Sequence, residues 1–293
     1  MRDSADTVKT IEEPIQKLST PAVWGGVGGF MLIACAIAFS TNHLLAFFSL
    51  GGIMIVVGGV MAVAFMSYGA NDVNAALRAI KNMFHEPSIT HANMHYDIKD
   101  ILYWARTVKE KGMRGLEHSV NRTGVDDPFV KFGLTMVISN YTAEEVRAMM
   151  ETAADSYYER DSAPALVLTA MASHAPAFGM VGTLIGMVTM LYNLSDNPTG
   201  IGPSLAVAFL STLYGVVTAR MLYMPAAAKL TQKLDAQRFH NQLVTEGMVM
   251  LASGKTPMYI QDRLNSFLSP EVHDTLAVVI HDRAVHQLKE FRA

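Results

Sequence analysis

Two threonine hydroxyls, on Thr183 and Thr212, could serve as cation ligands inside a membrane. Each lies in an apolar segment, residues 164–194 and 201–219, that contains no Asp, Glu, Lys or Arg. Hard cations such as Na⁺ prefer oxygen ligands, and a hydroxyl provides one. A cation site at membrane depth normally also uses an ionisable group. We therefore expect any cation that crosses here to use an Asp or Glu supplied by a second membrane protein.

The same two segments carry small or hydroxyl residues at helical spacing. Steps of three and four residues place these side chains on one face of each helix. Small faces let helix backbones approach closely in lipid, so plain helix packing is the alternative to a pore-lining role. The first set is Ala175, Gly179, Gly182, Gly186 and Thr189, and the second is Ser204, Ala208, Ser211, Gly215 and Thr218.

Long windows without charged residues predict that these segments span a membrane. The chain has 293 residues, of which 51% are hydrophobic and only 17% charged. A helix needs about 20 apolar residues to cross the hydrocarbon layer. Four windows without a charged residue reach that length, so the sequence predicts an all-α integral membrane protein with four transmembrane helices. The windows are residues 21–40, 44–68, 164–194 and 201–219.

The distribution of Lys and Arg predicts the orientation. Of the 23 basic residues, 3 precede the first window, 11 lie between the second and third, and 9 follow the fourth. Because basic residues favour the cytoplasmic side, both termini and the long central segment are expected there.

A net charge of -3 argues against a nucleic-acid partner. The predicted regions are the N-terminal segment 1–20, spans 21–68, a cytoplasmic helical domain 69–163, spans 164–228 and C-terminal cytoplasmic helices 229–293.

The cytoplasmic segments also have helical patterns. Apolar residues recur at helical spacing over residues 97–120, and Thr142-Ala-Glu-Glu is typical of a capping box. Asp126-Asp127-Pro128 and residues 254–257 are expected to end helices. Residues 203–252 contain Pro225 as their only interruption, so the fourth span is expected to continue as one kinked helix.

Two prolines, Pro176 and Pro225, lie near the predicted cytoplasmic ends of the third and fourth spans. Each removes a backbone hydrogen bond and can bend its helix. Their similar depth suggests a hinge level, although membrane helices also tolerate proline as an ordinary bend.

Enzyme chemistry has little support in the sequence. We find no Ser/His/Asp arrangement, phosphate loop or metal-ligand cluster, and we expect neither enzyme activity nor a cofactor. His91 and His95 are four residues apart but lack the carboxylate of a metalloprotease motif. Cys35 is the only cysteine, so an intramolecular disulfide is excluded.

Longer motifs in the last two spans resemble the MotA/PomA family of flagellar stator subunits. They are Ala175-Pro-Ala-Phe-Gly-Met-Val-Gly-Thr-Leu-Ile-Gly-Met and Ile201-Gly-Pro-Ser-Leu-Ala-Val-Ala-Phe-Leu-Ser-Thr-Leu-Tyr-Gly. The likeness extends to Gly112-Met-Arg-Gly-Leu-Glu and Asp127-Pro-Phe in the cytoplasmic domain. The resemblance implies a bacterial inner-membrane protein that forms a homopentamer around two copies of a single-span MotB/PomB-type partner. That partner carries the ion-binding Asp, which agrees with the carboxylate missing from this chain's spans.

The resemblance also assigns roles to individual residues. Pro176 and Pro225 match the family's torque-generating prolines, and Gly179, Gly182, Gly186, Ser211 and Gly215 match the packed channel helices. Lys109 and Glu117 match charged residues that face the rotor switch protein FliG, with Lys109 standing where the family usually has Arg. Thr183 and Thr212 resemble the pair found in sodium-type members, so Na⁺ is favoured over H⁺.

A second class remains open at this point, the related ExbB/TolQ proteins that use protons to energise outer-membrane transport or envelope integrity. They also place a Thr in their pore helices. They typically have three spans with an external N-terminus, and the four predicted spans with internal termini favour the stator subunit.

Overall fold

The computed structural model describes residues 20–40, 44–84, 94–196 and 198–267. The predicted N-terminal segment up to residue 19, the linker 41–43, His91 and the tail from residue 268 lie outside the described residues. The described part of the chain is helical throughout, joined by short turns. The helices are α1 (Thr20–Ser40), α2 (Leu50–Ser67), α3 (Ala70–Asn82), α4 (Met94–Thr123), α5 (Pro128–Ile138), α6 (Ala143–Asp196), α7 (Ile201–Ala252) and α8 (Pro257–Asn265).

The chain divides into two compact units. Among the described residues, unit 1 comprises 20–40, 44–84, 164–196 and 198–230, and unit 2 comprises 94–163 and 231–267. The helix α3, which follows the second predicted span, therefore groups with unit 1.

Unit 1 contains the membrane-crossing candidates. Helices α2, α6 and α7 each hold an apolar window long enough to span a bilayer. Helix α1 has 21 residues, but its apolar stretch Val23–Phe39 is shorter than those windows. Three of the four predicted spans thus meet the length criterion, and the first predicted span, residues 21–40, stays a prediction. The buried core of unit 1 joins α2, α3, α6 and α7 through Val60, Val73, Ala76, Val167, Leu168, Met171, Ala219 and Tyr223.

The predicted continuous fourth helix is confirmed. Helix α7 runs through Pro225 without a break and contains a π-helical segment, Ala219–Tyr223, just before it. Pro225 has no N–H to donate to the carbonyl of Met221, four residues earlier. A wider turn at this place accommodates the proline within the helix.

In unit 2, the helical spacing predicted over residues 97–120 is confirmed on both sides of Gly112, but the segment is not one straight helix. Gly112 lies inside α4 with φ 69° and ψ -173°, a conformation that favours glycine. The Ser119 hydroxyl donates to the Tyr103 hydroxyl at 3.2 Å, although 16 residues of straight helix would separate them by about 24 Å. Helix α4 is therefore a hairpin of two arms that fold back at Gly112.

Three predicted helix boundaries in unit 2 are confirmed. The Asp127 carboxylate accepts the backbone N–H groups of Phe129 and Val130 at the start of α5. Thr142 and Glu145 exchange hydrogen bonds as a capping box at the start of α6. The turn after Ala252 ends α7 before α8 begins.

Candidate ion-pathway site

The small faces of α6 and α7 lie directly against each other. A methyl group added to Gly182 would collide with the Ser211 side chain, and one added to Gly186 would lie 2.7 Å from the Ala208 nitrogen. Such distances leave no room for a side chain larger than hydrogen. The sequence pattern therefore corresponds to a close backbone contact between the third and fourth predicted spans.

The same contact continues along the helix pair. An added Cβ on Gly215 would lie 2.6 Å from the Ala175 carbonyl oxygen, and one on Gly179 would lie 3.1 Å from the Thr212 Cα. Pro176 is the next residue along α6 and is partly buried, whereas Pro225 is exposed. The structure thus brings Pro176 close to the packed faces, and the hinge role of both prolines stays a prediction.

Thr183 and Thr212 both lie beside this contact. The Thr183 hydroxyl donates to the Met180 carbonyl at 2.6 Å, and the Thr212 hydroxyl donates to the Gly179 carbonyl across the interface at 3.5 Å. Each hydroxyl has a single proton, so its lone pairs remain available to accept a hydrogen bond or to ligate a cation. Both residues are partly exposed in the single chain. Their arrangement is compatible with the expected ligand role.

Tyr214 is the residue of this site that sequence reasoning missed. Its hydroxyl accepts the Ser49 backbone N–H at 2.9 Å and donates to the Phe47 carbonyl at 2.6 Å. These bonds attach the start of α2 to α7. A buried tyrosine hydroxyl usually has such partners, so one Tyr within an apolar span is the signal that could have identified it.

The predicted rotor-contact residues lie in unit 2. Lys109 and Glu117 are both exposed, but they stand on different arms of the α4 hairpin because Gly112 lies between them. They therefore do not share the single helix face that an eight-residue spacing would give in a straight helix.

A buried ion pair in unit 2 was also missed. The His240 Nε2 lies 3.3 Å from the Asp97 carboxylate, and the His240 side chain is only 6% exposed. Burial lowers the pKa of His240, but the hydrogen bond and charge of Asp97, with smaller effects of Asn241 and Asp127, raise it by more. The net pKa is above its ordinary value, which favours a protonated imidazole.

Glu246 forms a second network in unit 2. Its carboxylate accepts hydrogen bonds from Arg147 and from Arg263. Burial raises the pKa of Glu246, and the two guanidinium groups lower it by more, so the net shift is downward. The network joins α6, α7 and α8.

Comparisons with known proteins identify the family of the chain. The model of the MotA/TolQ/ExbB proton channel family matches residues 121–266. The chain is 33% identical to the uncharacterized protein YtxD of Bacillus subtilis over 226 residues, 77% of this chain and 81% of that protein. It is 30% identical to chemotaxis protein PomA of Vibrio alginolyticus over 246 residues, 84% of this chain and 93% of PomA. The chain belongs to the MotA/PomA family of stator subunits.

A solved structure supports the fold of this MotA/PomA family member. A chain of the flagellar MotAB stator complex from Bacillus subtilis superposes with a TM-score of 0.76 at 24% sequence identity. The match covers 87% of this chain and 98% of that chain. The family is one of membrane channels and stator subunits, which agrees with the apolar helices of unit 1.

Proposed function

We propose that this chain is the ion-conducting stator subunit of a bacterial flagellar motor. It couples cation flow, with Na⁺ favoured over H⁺, to rotation and torque on the rotor. The observation that supports this is the pair of hydroxyls on Thr183 and Thr212 beside a close-packed helix pair whose apolar windows contain no acidic residue. A hard cation needs oxygen ligands and a compensating charge. The missing charge is the ion-binding Asp of a MotB/PomB-type partner.

The proposed assembly is a homopentamer around that single-span partner in the inner membrane, with both termini cytoplasmic. Large apolar side chains on the outer faces of α6 and α7, such as Leu184, Val188 and Phe209, are exposed in the single chain. Lipid or neighbouring subunits would cover them. Lys109 and Glu117, on the two arms of the hairpin, are the proposed contacts with the rotor switch protein FliG. A reporter fused to the N-terminus tests the orientation, and an external N-terminus would contradict it.

The sodium assignment is tested with Thr183→Ala. The chain and its partner are expressed in a host that lacks its own stator, and swimming speed is measured against Na⁺ concentration at constant pH. Loss of one oxygen ligand should raise the Na⁺ concentration for half-maximal speed about tenfold, which corresponds to about 1.4 kcal/mol. Thr189→Ala is the matched control, because it removes a hydroxyl that, like that of Thr183, donates to a carbonyl of its own helix but is not one of the two proposed ligands.

The two variants separate the possible outcomes. An equal change in both would mean that the Thr183 hydroxyl has no special part in ion passage. Swimming that follows the proton gradient and ignores Na⁺ would contradict the sodium assignment and leave the stator proposal with H⁺ as the driving ion.

A further inference from the structure

The Tyr214 hydroxyl connects two segments that lie more than 160 residues apart in sequence. It accepts from the Ser49 N–H and donates to the Phe47 carbonyl, so both of its hydrogen-bonding functions are used. Ser49 is the N-cap of α2, and its own hydroxyl accepts the Gly52 N–H at 3.3 Å. Backbone groups at a helix start in a membrane must find partners within the protein. Tyr214 provides two of them from the neighbouring helix.

The ring of Tyr214 also contacts α2, in addition to the hydrogen bonds of its hydroxyl. Gly52 is buried, and a Cβ at that position would lie 3.2 Å from the Tyr214 Cε2 and 3.1 Å from the Ser211 Oγ. Glycine at position 52 therefore lets α2 approach the ring closely. The ring contact and the two hydrogen bonds together fix the side of α7 that faces α2.

An adjoining face of α7, which shares Ser211 with the α2 contact, packs against α6. Gly182 contacts the Ser211 side chain, and Gly179 lies against the Thr212 Cα. Thr212 itself is bonded to α6 only through a long 3.5 Å hydrogen bond, so its hydroxyl is positioned mainly by the rotation of α7 about its axis. At roughly 4 to 5 Å from that axis, a rotation of about 10° would move the oxygen by roughly 1 Å. Ligand distances at ion sites are held to about 0.2 Å.

We propose that Tyr214 is a positioning residue for the cation pathway. Its two hydrogen bonds, to Ser49 and Phe47, hold α7 against the start of α2, and we call this connection the Tyr214 lock. The lock sets the direction in which the Thr212 hydroxyl points. The inference rests on the proposed function, because it assigns to Tyr214 a part in the passage of the driving cation. It differs from a packing role in one respect: loss of the hydroxyl should change the apparent affinity for the cation.

The test uses Tyr214→Phe, which keeps the ring against Gly52 and removes both hydrogen bonds. Rotation speed is measured against the concentration of whichever cation drives the wild type, and the amount of chain in the membrane is measured by immunoblot. We expect a three- to tenfold rise in the half-saturating concentration at equal amounts of chain. Tyr192→Phe is the control, because Tyr192 is 72% exposed and should show no shift.

An unchanged half-saturating concentration in Tyr214→Phe would overturn the proposal, whether or not maximal speed falls, because a purely structural defect only lowers the number of working complexes. If that variant fails to accumulate, Gly52→Ala replaces it. The added methyl group displaces the Tyr214 ring and the Ser211 side chain, and it should shift the half-saturating concentration in the same direction. No shift in Gly52→Ala would likewise overturn the proposal.

A labelling assay separates this inference from the proposed function. Phe48 is exposed beside the two bonded residues, so Phe48→Cys in a Cys35→Ala background reports on this segment through its rate of maleimide labelling. Adding Tyr214→Phe should raise that rate severalfold, and an unchanged rate would mean that the lock does not exist. If labelling responds while no cation gradient drives rotation in the wild type, the lock is real but the proposed function, and with it the ion-positioning role, is overturned.

Discussion

Replacing His240 with glutamine should abolish a pH dependence of stability in unit 2. The wild-type His240 side chain is buried beside the Asp97 carboxylate, which raises its pKa above the ordinary 6.5. When folding raises the pKa of a group, the protonated group stabilises the native state. This stabilisation is complete at pH values below the pKa of the group in the unfolded chain, and it is lost as the pH rises through the pKa in the folded protein. The wild type should therefore lose stability between about pH 6.5 and the alkaline range.

The magnitude follows from the contact. A hydrogen bond to a charged group contributes about 1.5 to 3 kcal/mol. The Asp97 side chain is 30% exposed, so we expect the lower part of that range, about 1.5 to 2 kcal/mol. For a chain of this size that corresponds to a melting-temperature change of about 3 to 8 °C. His240→Gln should already melt lower than the wild type at pH 6 and change little up to pH 9. The pKa of its neighbour Asp100 is raised by burial and by the Asp97 charge.

Trp104 provides the signal for this experiment, because it is 8% exposed within the core of unit 2. The only other tryptophan is Trp24, so every protein in this experiment carries Trp24→Phe to leave Trp104 as the sole tryptophan. The full-length purified protein is melted in detergent at several pH values while Trp104 fluorescence is recorded. His118→Gln is the control, since His118 is exposed in the same unit and its replacement should leave the curve unchanged. A wild-type pH dependence that persists in His240→Gln would refute the assignment to this ion pair.

Two further predictions concern glycines. Gly215→Ala should destabilise the α6–α7 contact by about 1 to 3 kcal/mol, because its Cβ would lie 2.6 Å from the Ala175 carbonyl oxygen. Co-purification should then recover less of the MotB/PomB-type partner. Gly202→Ala, on the same helix with open space around it, is the control and should assemble normally. Gly112→Ala should destabilise unit 2 by about 1 to 3 kcal/mol, since φ is 69° there, and an unchanged Trp104 melt would contradict the hairpin turn.

The membrane helices were predictable because their signals are local. A run of apolar residues without charge defines a span by itself, and glycines at steps of three and four define a close-packed face. The Asp127 and Thr142 caps were equally readable, since a side chain two or three residues from the N–H groups it bonds needs no distant partner. These local signals predicted the apolar helices and the close-packed faces of unit 1, and they predicted where helices begin and end in unit 2.

The side-chain contacts that sequence analysis missed depend on distant partners. Tyr214 meets Phe47 and Ser49 across more than 160 positions, and His240 meets Asp97 across more than 140. A lone Tyr in an apolar span indicates that its hydroxyl needs partners, but the local sequence does not show which residues those partners are. The break at Gly112 was missed for a different reason, since apolar residues keep helical spacing on both sides of it, and only the backbone conformation of the glycine reveals the turn.

The central claim is that this chain supplies hydroxyl ligands while a partner supplies the acidic group. The most direct test is cation uptake into liposomes by the purified chain alone, by the chain with its single-span partner, and by the chain with a partner whose membrane-embedded Asp is changed to Asn. We predict uptake only with the intact partner. Uptake by the chain alone, at the rate of the intact complex, would contradict the claim.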